Sequence, residues 1–254
     1  MDKFIDLNAD TGEASTPDWA ASEAAIMDYI SSANIACGGH AGDMETMVST
    51  ARRAQENGVS IGAHPSYPDR KNFGRLELIL GEDIDPKILS ESLYEQIARL
   101  MDAAKGEVKY VKPHGALYNQ AVKAKPLAAL IGDVILRVDS SLSWLGGPSS
   151  EMTQAAQERG LSFIGEGFID RQYSEDGHLV ARSLDGAVIH DQEARLAQAL
   201  SLAKTKRVTS RAGHSISIEA GSLCVHGDSA GAVETARLTR DALIEAGFDI
   251  RAFA

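Results

Sequence analysis

Ile5-Asp6-Leu7-Asn8-Ala9-Asp10-Thr11-Gly12-Glu13 ends the first apolar run of the chain. Apolar Ile5, Leu7 and Ala9 alternate with Asp6, Asn8 and Asp10, each of which carries a side-chain oxygen. Successive side chains of a β-strand point to opposite faces, so the three polar groups share one face. That face lies inside a barrel or over its mouth, and Glu13 follows in the turn. A solvated strand end with a helix cap would give the same letters. The functional reading is stronger, because acids rarely line an inward face without purpose.

Four more apolar runs stop at similar clusters: Asn34-Ile35-Ala36-Cys37-Gly38-Gly39-His40, Gly62-Ala63-His64-Pro65, Lys112-Pro113-His114-Gly115 and Cys224-Val225-His226-Gly227-Asp228. Four of the seven histidines lie in them. Sites in α/β barrels and open α/β sheets assemble at strand ends. Five such ends, spread over the chain, predict one polar pocket built from many strands.

Strand-like runs recur at residues 4–7, 34–37, 59–63, 108–111, 142–145, 161–165 and 223–225, with helical periodicity between them. Asp43 is placed to cap a helix ending at Asn57-Gly58, and Asp85-Pro86 opens one striped by Leu89, Leu93 and Leu100. Ser150 caps a short helix that Gly160 ends, Asp191 starts an alanine-rich one, and Ala232, Ala236 and Leu243 stripe the last. Strand–helix alternation implies parallel strands with crossover helices. Residues 165–186 read as a long functional loop with a small hairpin, and 207–220 as a β-hairpin. No composition shift marks a boundary. The expectation is one α/β domain over residues 1–254, a closed seven-stranded TIM-like (β/α) barrel, with a doubly wound open sheet as the alternative.

The bulk numbers narrow the function. With 44% apolar and 24% charged residues, the 254-residue chain has the composition of a soluble globular protein. A net charge of −11 argues against nucleic acid or an anionic membrane as partner. No apolar stretch approaches the roughly 20 residues of a membrane span. The N-terminus lacks a signal-peptide core, and two cysteines are too few for a secreted disulfide scaffold, so the expected location is cytoplasmic.

Asp10, His40 and His64 end neighbouring strands and could hold a divalent metal, which polarises carbonyls or acidifies water. Without a local HxxxH spacing, they could equally orient backbone or substrate. Lys112 suits an anionic ligand, and His114 moves protons near neutral pH. His226 is a chemical candidate, whereas Asp228 is as much a helix N-cap as a chemical group. Asp69, Arg75, Asp170, Arg171, Tyr173 and Arg182 lie on expected loops, where arginine forks bind carboxylate or phosphate. His178, His190 and His214 read as structural. The sequence contains neither a P-loop nor a Gly-x-Ser-x-Gly elbow.

Taken together, these words resemble the LamB/YcsF family over almost the whole chain. The resemblance is carried by Asp6-Leu7-Asn8-Ala9-Asp10, Ser32-Ala33-Asn34-Ile35-Ala36-Cys37-Gly38, His40-Ala41-Gly42-Asp43, Gly62-Ala63-His64-Pro65 and Tyr67-Pro68-Asp69. It continues through Phe73-Gly74-Arg75, Val111-Lys112-Pro113-His114-Gly115-Ala116-Leu117-Tyr118-Asn119, Asp170-Arg171 with Tyr173, Asp176-Gly177 and Cys224-Val225-His226-Gly227-Asp228. Thr11 stands where the family usually has leucine. Gly39 stands where it often has an aromatic, an exchange expected to loosen the pocket wall beside His40.

The resemblance implies a seven-stranded β/α barrel related to glycoside hydrolase and deacetylase folds. It also implies ATP-dependent opening of 5-oxo-L-proline to L-glutamate by a 5-oxoprolinase, with this chain as the A component beside 5-oxoprolinase subunits B and C. On that reading Asp10, Glu13, His40 and His64 hold a metal or a water, and His114 or His226 is the general acid/base. Lys112 or an arginine holds carboxylate or phosphate, with Asn8, Asn34, Arg75, Asp170, Arg171 and Arg182 around the substrate. The competing expectations are a stand-alone metal-dependent deacetylase or amidohydrolase, and a non-catalytic subunit that presents a small acid to partners.

Overall fold

A computed structural model describes residues 3–227 and 231–254. Seven parallel strands close a barrel: β1 (Phe4–Thr11), β2 (Ser32–Ala36), β3 (Ser60–His64), β4 (Val108–Val111), β5 (Ser143–Gly146), β6 (Phe163–Phe168) and β9 (Ser222–Cys224), with β9 pairing back onto β1. Closure is explicit in the register, Asp6 opposite Ser222 and Asn8 opposite Cys224 on one side, Asn8 opposite Ser32 and Asp10 opposite Asn34 on the other. The expected closed barrel is therefore correct and the open sheet is not. A short β10 (Asp249–Ile250) extends the start of β1, and β7 (Arg207–Thr209) with β8 (Ser215–Ser217) forms the antiparallel hairpin expected over 207–220.

Helices α1 (Pro17–Ile26), α2 (Met44–Glu56), α3 (Pro86–Ala103), α4 (Gly115–Ala121), α5 (Lys125–Val138), α6 (Glu151–Arg159), α7 (Gln192–Thr205) and α8 (Ala232–Glu245) fill the crossovers. Their starts are chemical. Asp43, Asp85, Ser150 and Asp191 accept hydrogen bonds from the first-turn amides of α2, α3, α6 and α7, as their sequence positions predict. Leu89, Leu93, Ile97 and Leu100 of α3 are buried, as are Leu127, Ile131, Val134 and Ile135 of α5. Fully burying an aliphatic side chain stabilises by about 1.5–3 kcal/mol, so this shell between helices and barrel is the main cohesive layer. None of the helices among the described residues is long and apolar enough to cross a membrane.

The barrel interior is polar. Asp6 accepts from Ser31 and Ser32 at 2.6 Å and from Ser222, while Asn8 donates to Ser222 Oγ at 2.7 Å. The alternation along β1 thus aims apolar residues at the helices and polar ones at a cross-strand network. β6 differs from expectation by running to Phe168, so residues 165–168 are strand, not loop. Beyond it, single bridges between Arg171 and Val188 and between Tyr173 and Leu179 make the small hairpin of the loop.

Candidate active site

A cavity of 610 Å³ opens at the C-terminal ends of the strands, with walls that include Asp10, Glu13, His64, Lys112, His114, Glu166, Arg171, Arg182 and His226. The floor is a chain of side chains from β1, β2 and β4. Tyr110 donates to Asn34 Oδ1 at 2.7 Å, and Asn34 Nδ2 donates to Asn8 Oδ1 and Asp10 Oδ1, each at 2.8 Å. Lys112 Nζ sits among Asp10 Oδ1 (2.9 Å), Glu166 Oε1 (2.8 Å), Asn8 Oδ1 (3.3 Å) and Cys224 Sγ (3.3 Å). Burial alone would lower the Lys112 pKa, but Asp10, Cys224 and Glu166 outweigh it and hold the pKa well above the usual range. An ammonium has three donors, and all of them are engaged. Lys112 therefore organises the floor, and an incoming anion must find its cation elsewhere.

Glu13 is the hub of the next layer. Its Oε1 lies 2.8 Å from His40 Nε2, 3.3 Å from His114 Nδ1 and 3.8 Å from His64 Nε2. Its turn is fixed from below by Glu23 of α1, whose carboxylate accepts the amides of Gly12 (2.8 Å) and Glu13 (3.0 Å). His40 and His114 stack at 3.6 Å between ring centroids, with their planes parallel to within 2°. Burial takes His40 down to about 4 and also lowers His114. His64 is raised, because Asp10 and Glu13 outweigh a burial that alone would lower it. Asp10 and Glu13 are lowered: burial opposes their charge, but His64 and Lys112 win at Asp10, and His114 and His40 at Glu13.

The hydrogen-bond partners assign the tautomers. His64 Nδ1 donates to the Lys112 carbonyl at 2.7 Å, and His114 Nε2 donates to the Phe73 carbonyl at 3.0 Å. In the neutral rings this leaves lone pairs on His64 Nε2 and His114 Nδ1, which face one another at 3.0 Å. Glu13 Oε1 adjoins both, and Asp10 Oδ2 is 3.4 Å from His64 Nε2. Apart from the His40 Nε2–H on Glu13, no side-chain donor among the described residues reaches these four acceptors, an arrangement that suits a cation: a proton on His64 or a divalent metal. Backbone carbonyls on the far ring nitrogens are also the usual outer support of metal-binding histidines. Ligand atoms of Glu13, His40, His64 and His114 all lie within 4.8 Å of one another, so this buried cluster can hold a metal ion. Of the three ligands expected from sequence, His40 and His64 belong to this cluster, and Asp10 adjoins it with Oδ2 3.4 Å from His64 Nε2.

Across the cavity, His226 Nδ1 lies 2.8 and 2.9 Å from the two oxygens of Asp170, and its ring stacks on Phe168 at 5.6 Å. Burial opposes the Asp170 charge, but His226 and two arginines hold its pKa below the usual carboxylate range. Arg171 is buried beneath the loop after β6, donating to the Val180 carbonyl at 2.6 Å, and Arg182 and Arg75 stand on the exposed rim. Asp69 organises its own loop by accepting from Asn72, and the Tyr173 hydroxyl accepts from the Phe168 amide at 2.7 Å. Asp228 lies outside the described residues. Sequence reasoning missed Glu166, Phe168 and Tyr118, and set aside His178, which lines the cavity. The signal for Glu166 was an acid enclosed by glycines in an apolar run.

Residues 5–254 match the family model described as the LamB/YcsF family. The chain belongs to the LamB/YcsF family. It is similar to the crystal structure of a lactam utilization protein from Thermus thermophilus, at 34% identity and a TM-score of 0.88, covering 98% of this chain and 100% of that one. A candidate cellobiose-phosphate cleavage protein from Enterococcus faecalis is 16% identical with a TM-score of 0.62, covering 99% of this chain and 97% of its own. A family 4 acetyl xylan esterase from Clostridium thermocellum, solved with a cobalt ion, is 12% identical with a TM-score of 0.51, covering 98% and 87%. The last two share the fold, which places this LamB/YcsF chain in a deacetylase-like barrel as the sequence led us to expect. The Gly39 departure from the family does not loosen the wall. A Cβ there would lie 2.4 Å from Gln96 Oε1 and 2.5 Å from Ser66 Oγ, so those side chains already fill the space.

Proposed function

We propose that the chain is the A component of an ATP-dependent 5-oxoprolinase, opening the lactam of 5-oxo-L-proline to L-glutamate together with B and C subunits. One observation carries the reading: a cation-seeking His–carboxylate cluster and an Asp-backed histidine face one cavity, in a LamB/YcsF chain similar to a lactam utilization protein. A five-membered lactam is a poor electrophile. Transfer of the γ-phosphoryl group of ATP to the amide oxygen turns that oxygen into a leaving group. Water then adds to the ring carbon, the ring C–N bond breaks as the nitrogen takes up a proton, and a second water hydrolyses the resulting acyl phosphate to the free carboxylate and phosphate.

The residues divide these tasks. His226 donates through Nδ1 to Asp170, which makes Nε2 the nitrogen that gives and takes the proton of the departing amine. Asp10, Glu13, His64 and His114 hold the attacking water, and a divalent ion bound there would polarise the carbonyl and acidify that water. Arg171, Arg182 and Arg75 supply the cations for the substrate carboxylate or the phosphoryl group, since Lys112 is engaged. In a mixture of this chain with B and C subunits, 5-oxo-L-proline and ATP, glutamate is expected to form, and His226→Gln to stop it. Undiminished glutamate with His226→Gln would remove that role.

The grouping of Glu13, His40, His64 and His114 also favours a second reading, a stand-alone metal-dependent deacetylase or amidohydrolase. It predicts stoichiometric divalent metal in the purified chain and amide hydrolysis without ATP or partners. Elemental analysis with an ATP-free assay separates the two.

A further inference from the structure

The roles assigned so far leave one buried carboxylate oxygen without a task. Glu166 projects from β6 into the cavity and is 1% exposed. Its Oε1 lies 2.8 Å from Lys112 Nζ, which fixes the side chain. Neither of its oxygens makes a hydrogen bond of good geometry among the described residues, and Oε2 lacks even the ion pair that holds Oε1. Tyr118 of α4, also on the cavity wall, is 5% exposed; its hydroxyl is near enough to Glu166 to interact with it, yet makes no hydrogen bond of good geometry. Burial and then the neighbouring Glu166 charge push that hydroxyl well above the usual tyrosine range, so it stays protonated and able to donate. The Tyr118 ring packs edge-on against Phe168 at 5.8 Å, which keeps it from swinging to solvent.

Buried polar atoms are almost always hydrogen-bonded, and leaving them unmade is costly. An acceptor and a donor held together on one cavity wall therefore describe the ligand edge that would satisfy both. An open-chain secondary amide is trans, with N–H and C=O on opposite edges. A five-membered lactam is held cis by its ring, so its N–H and C=O lie on one edge. A carboxylate oxygen beside a hydroxyl matches that edge with two hydrogen bonds, but an open-chain amide with only one.

We propose that Glu166 and Tyr118 read the amide edge of the lactam, Glu166 Oε2 accepting the ring N–H and the Tyr118 hydroxyl donating to the ring carbonyl oxygen. The inference rests on the 5-oxo-L-proline reading and adds the pair that selects a cyclic amide. Lys112 contributes by pinning Oε1, so that Oε2 is presented in one orientation.

The test measures binding to the full chain by titration calorimetry with two probes, 5-oxo-L-proline and its lactone isostere 5-oxotetrahydrofuran-2-carboxylate, which has a ring oxygen where the lactam has N–H. The wild type is expected to bind the lactam at least about tenfold more tightly than the lactone, as for a hydrogen bond to a charged group. Glu166→Gln should abolish that preference by weakening the lactam alone, and Tyr118→Phe should weaken both probes together. A merely structural Glu166 would not move the lactam-to-lactone ratio. A folded Glu166→Gln that keeps the preference overturns the inference and leaves the substrate reading standing. A wild type that binds neither probe also overturns it, and glutamate formation by the reconstituted complex then decides whether the substrate reading falls too. If Glu166→Gln does not fold, Tyr118→Phe decides: lactam and lactone affinities equal to wild type overturn the pairing.

Discussion

Replacing Lys112 with methionine separates a structural cation from a ligand-binding one. The Lys112 side chain is 3% exposed, 2.9 Å from Asp10 and 2.8 Å from Glu166. Methionine keeps most of the length and removes the charge, which leaves two buried carboxylates without compensation. Breaking a buried pair from one side costs about 3–5 kcal/mol. For a chain of this size each kcal/mol moves the melting temperature by about 2–4 °C, so Lys112→Met should melt roughly 10 °C below the wild type. The deficit should depend on pH. Without the ammonium Asp10 keeps His64 but loses one of the charges that lower its pKa, so the deficit should be largest where the carboxylates are ionised and shrink as pH falls and they take up protons. Glu166→Gln in the Lys112→Met background should recover part of the loss, since the two sites share one interaction. Circular dichroism melts from pH 4 to 8 measure all three effects. A variant that melts within about 2 °C of the wild type at pH 7 and yet loses 5-oxo-L-proline binding would refute the reasoning and return Lys112 to the role of anion receptor.

Other perturbations probe the layers around the floor. Burial raises Asp6 from 3.8 to about 6, against the hydrogen bonds of Ser222, Ser31 and Ser32. The stability this contributes is present below about pH 4 and lost as pH rises through about 6, a swing of about 3 kcal/mol; urea midpoints should show that slope in the wild type and not in Asp6→Asn. Glu23→Ala strips the acceptors from the Gly12 and Glu13 amides, which should cost about 1–3 kcal/mol in denaturant titration and lower kcat by loosening Glu13. A Cβ at Gly165 would lie 2.1 Å from the Glu219 carbonyl oxygen, so Gly165→Ala should lower stability by about 1–3 kcal/mol, read as a reduced melting temperature. His226→Gln should lower kcat of the reconstituted reaction by about 10²- to 10⁴-fold with little change in melting temperature, as loss of a proton-transfer group does.

Much of this arrangement was legible because its signals are local. The alternation of β1, the caps Asp43, Asp85, Ser150 and Asp191, and polar clusters ending apolar runs each depend on neighbours within a few residues. They located seven strands and put Asp10, Glu13, His64, Lys112, His114 and His226 on one cavity. What stayed hidden depends on distance along the chain. The stacking of His40 on His114 joins residues 74 apart, and nothing near His40 indicates that its Nε2 would be held by Glu13. Glu166 was obscured because the second half of β6 reads as loop, with glycines that its packing demands: Glu219 crowds Gly165, and Ala220 and Leu202 crowd Gly167. Lys112 looked like an anion receptor because its two carboxylate partners come from β1 and β6, far from it in sequence on either side.

The central claim is that this barrel opens a lactam only as part of an ATP-consuming assembly. Its most direct measurement is the joint yield of ADP and glutamate from 5-oxo-L-proline, with this chain, the B and C subunits and ATP each omitted in turn. Equal amounts of ADP and glutamate are expected from the full mixture, and no glutamate from any incomplete one. Glutamate forming without ATP, or at an undiminished rate without this chain, would contradict the claim.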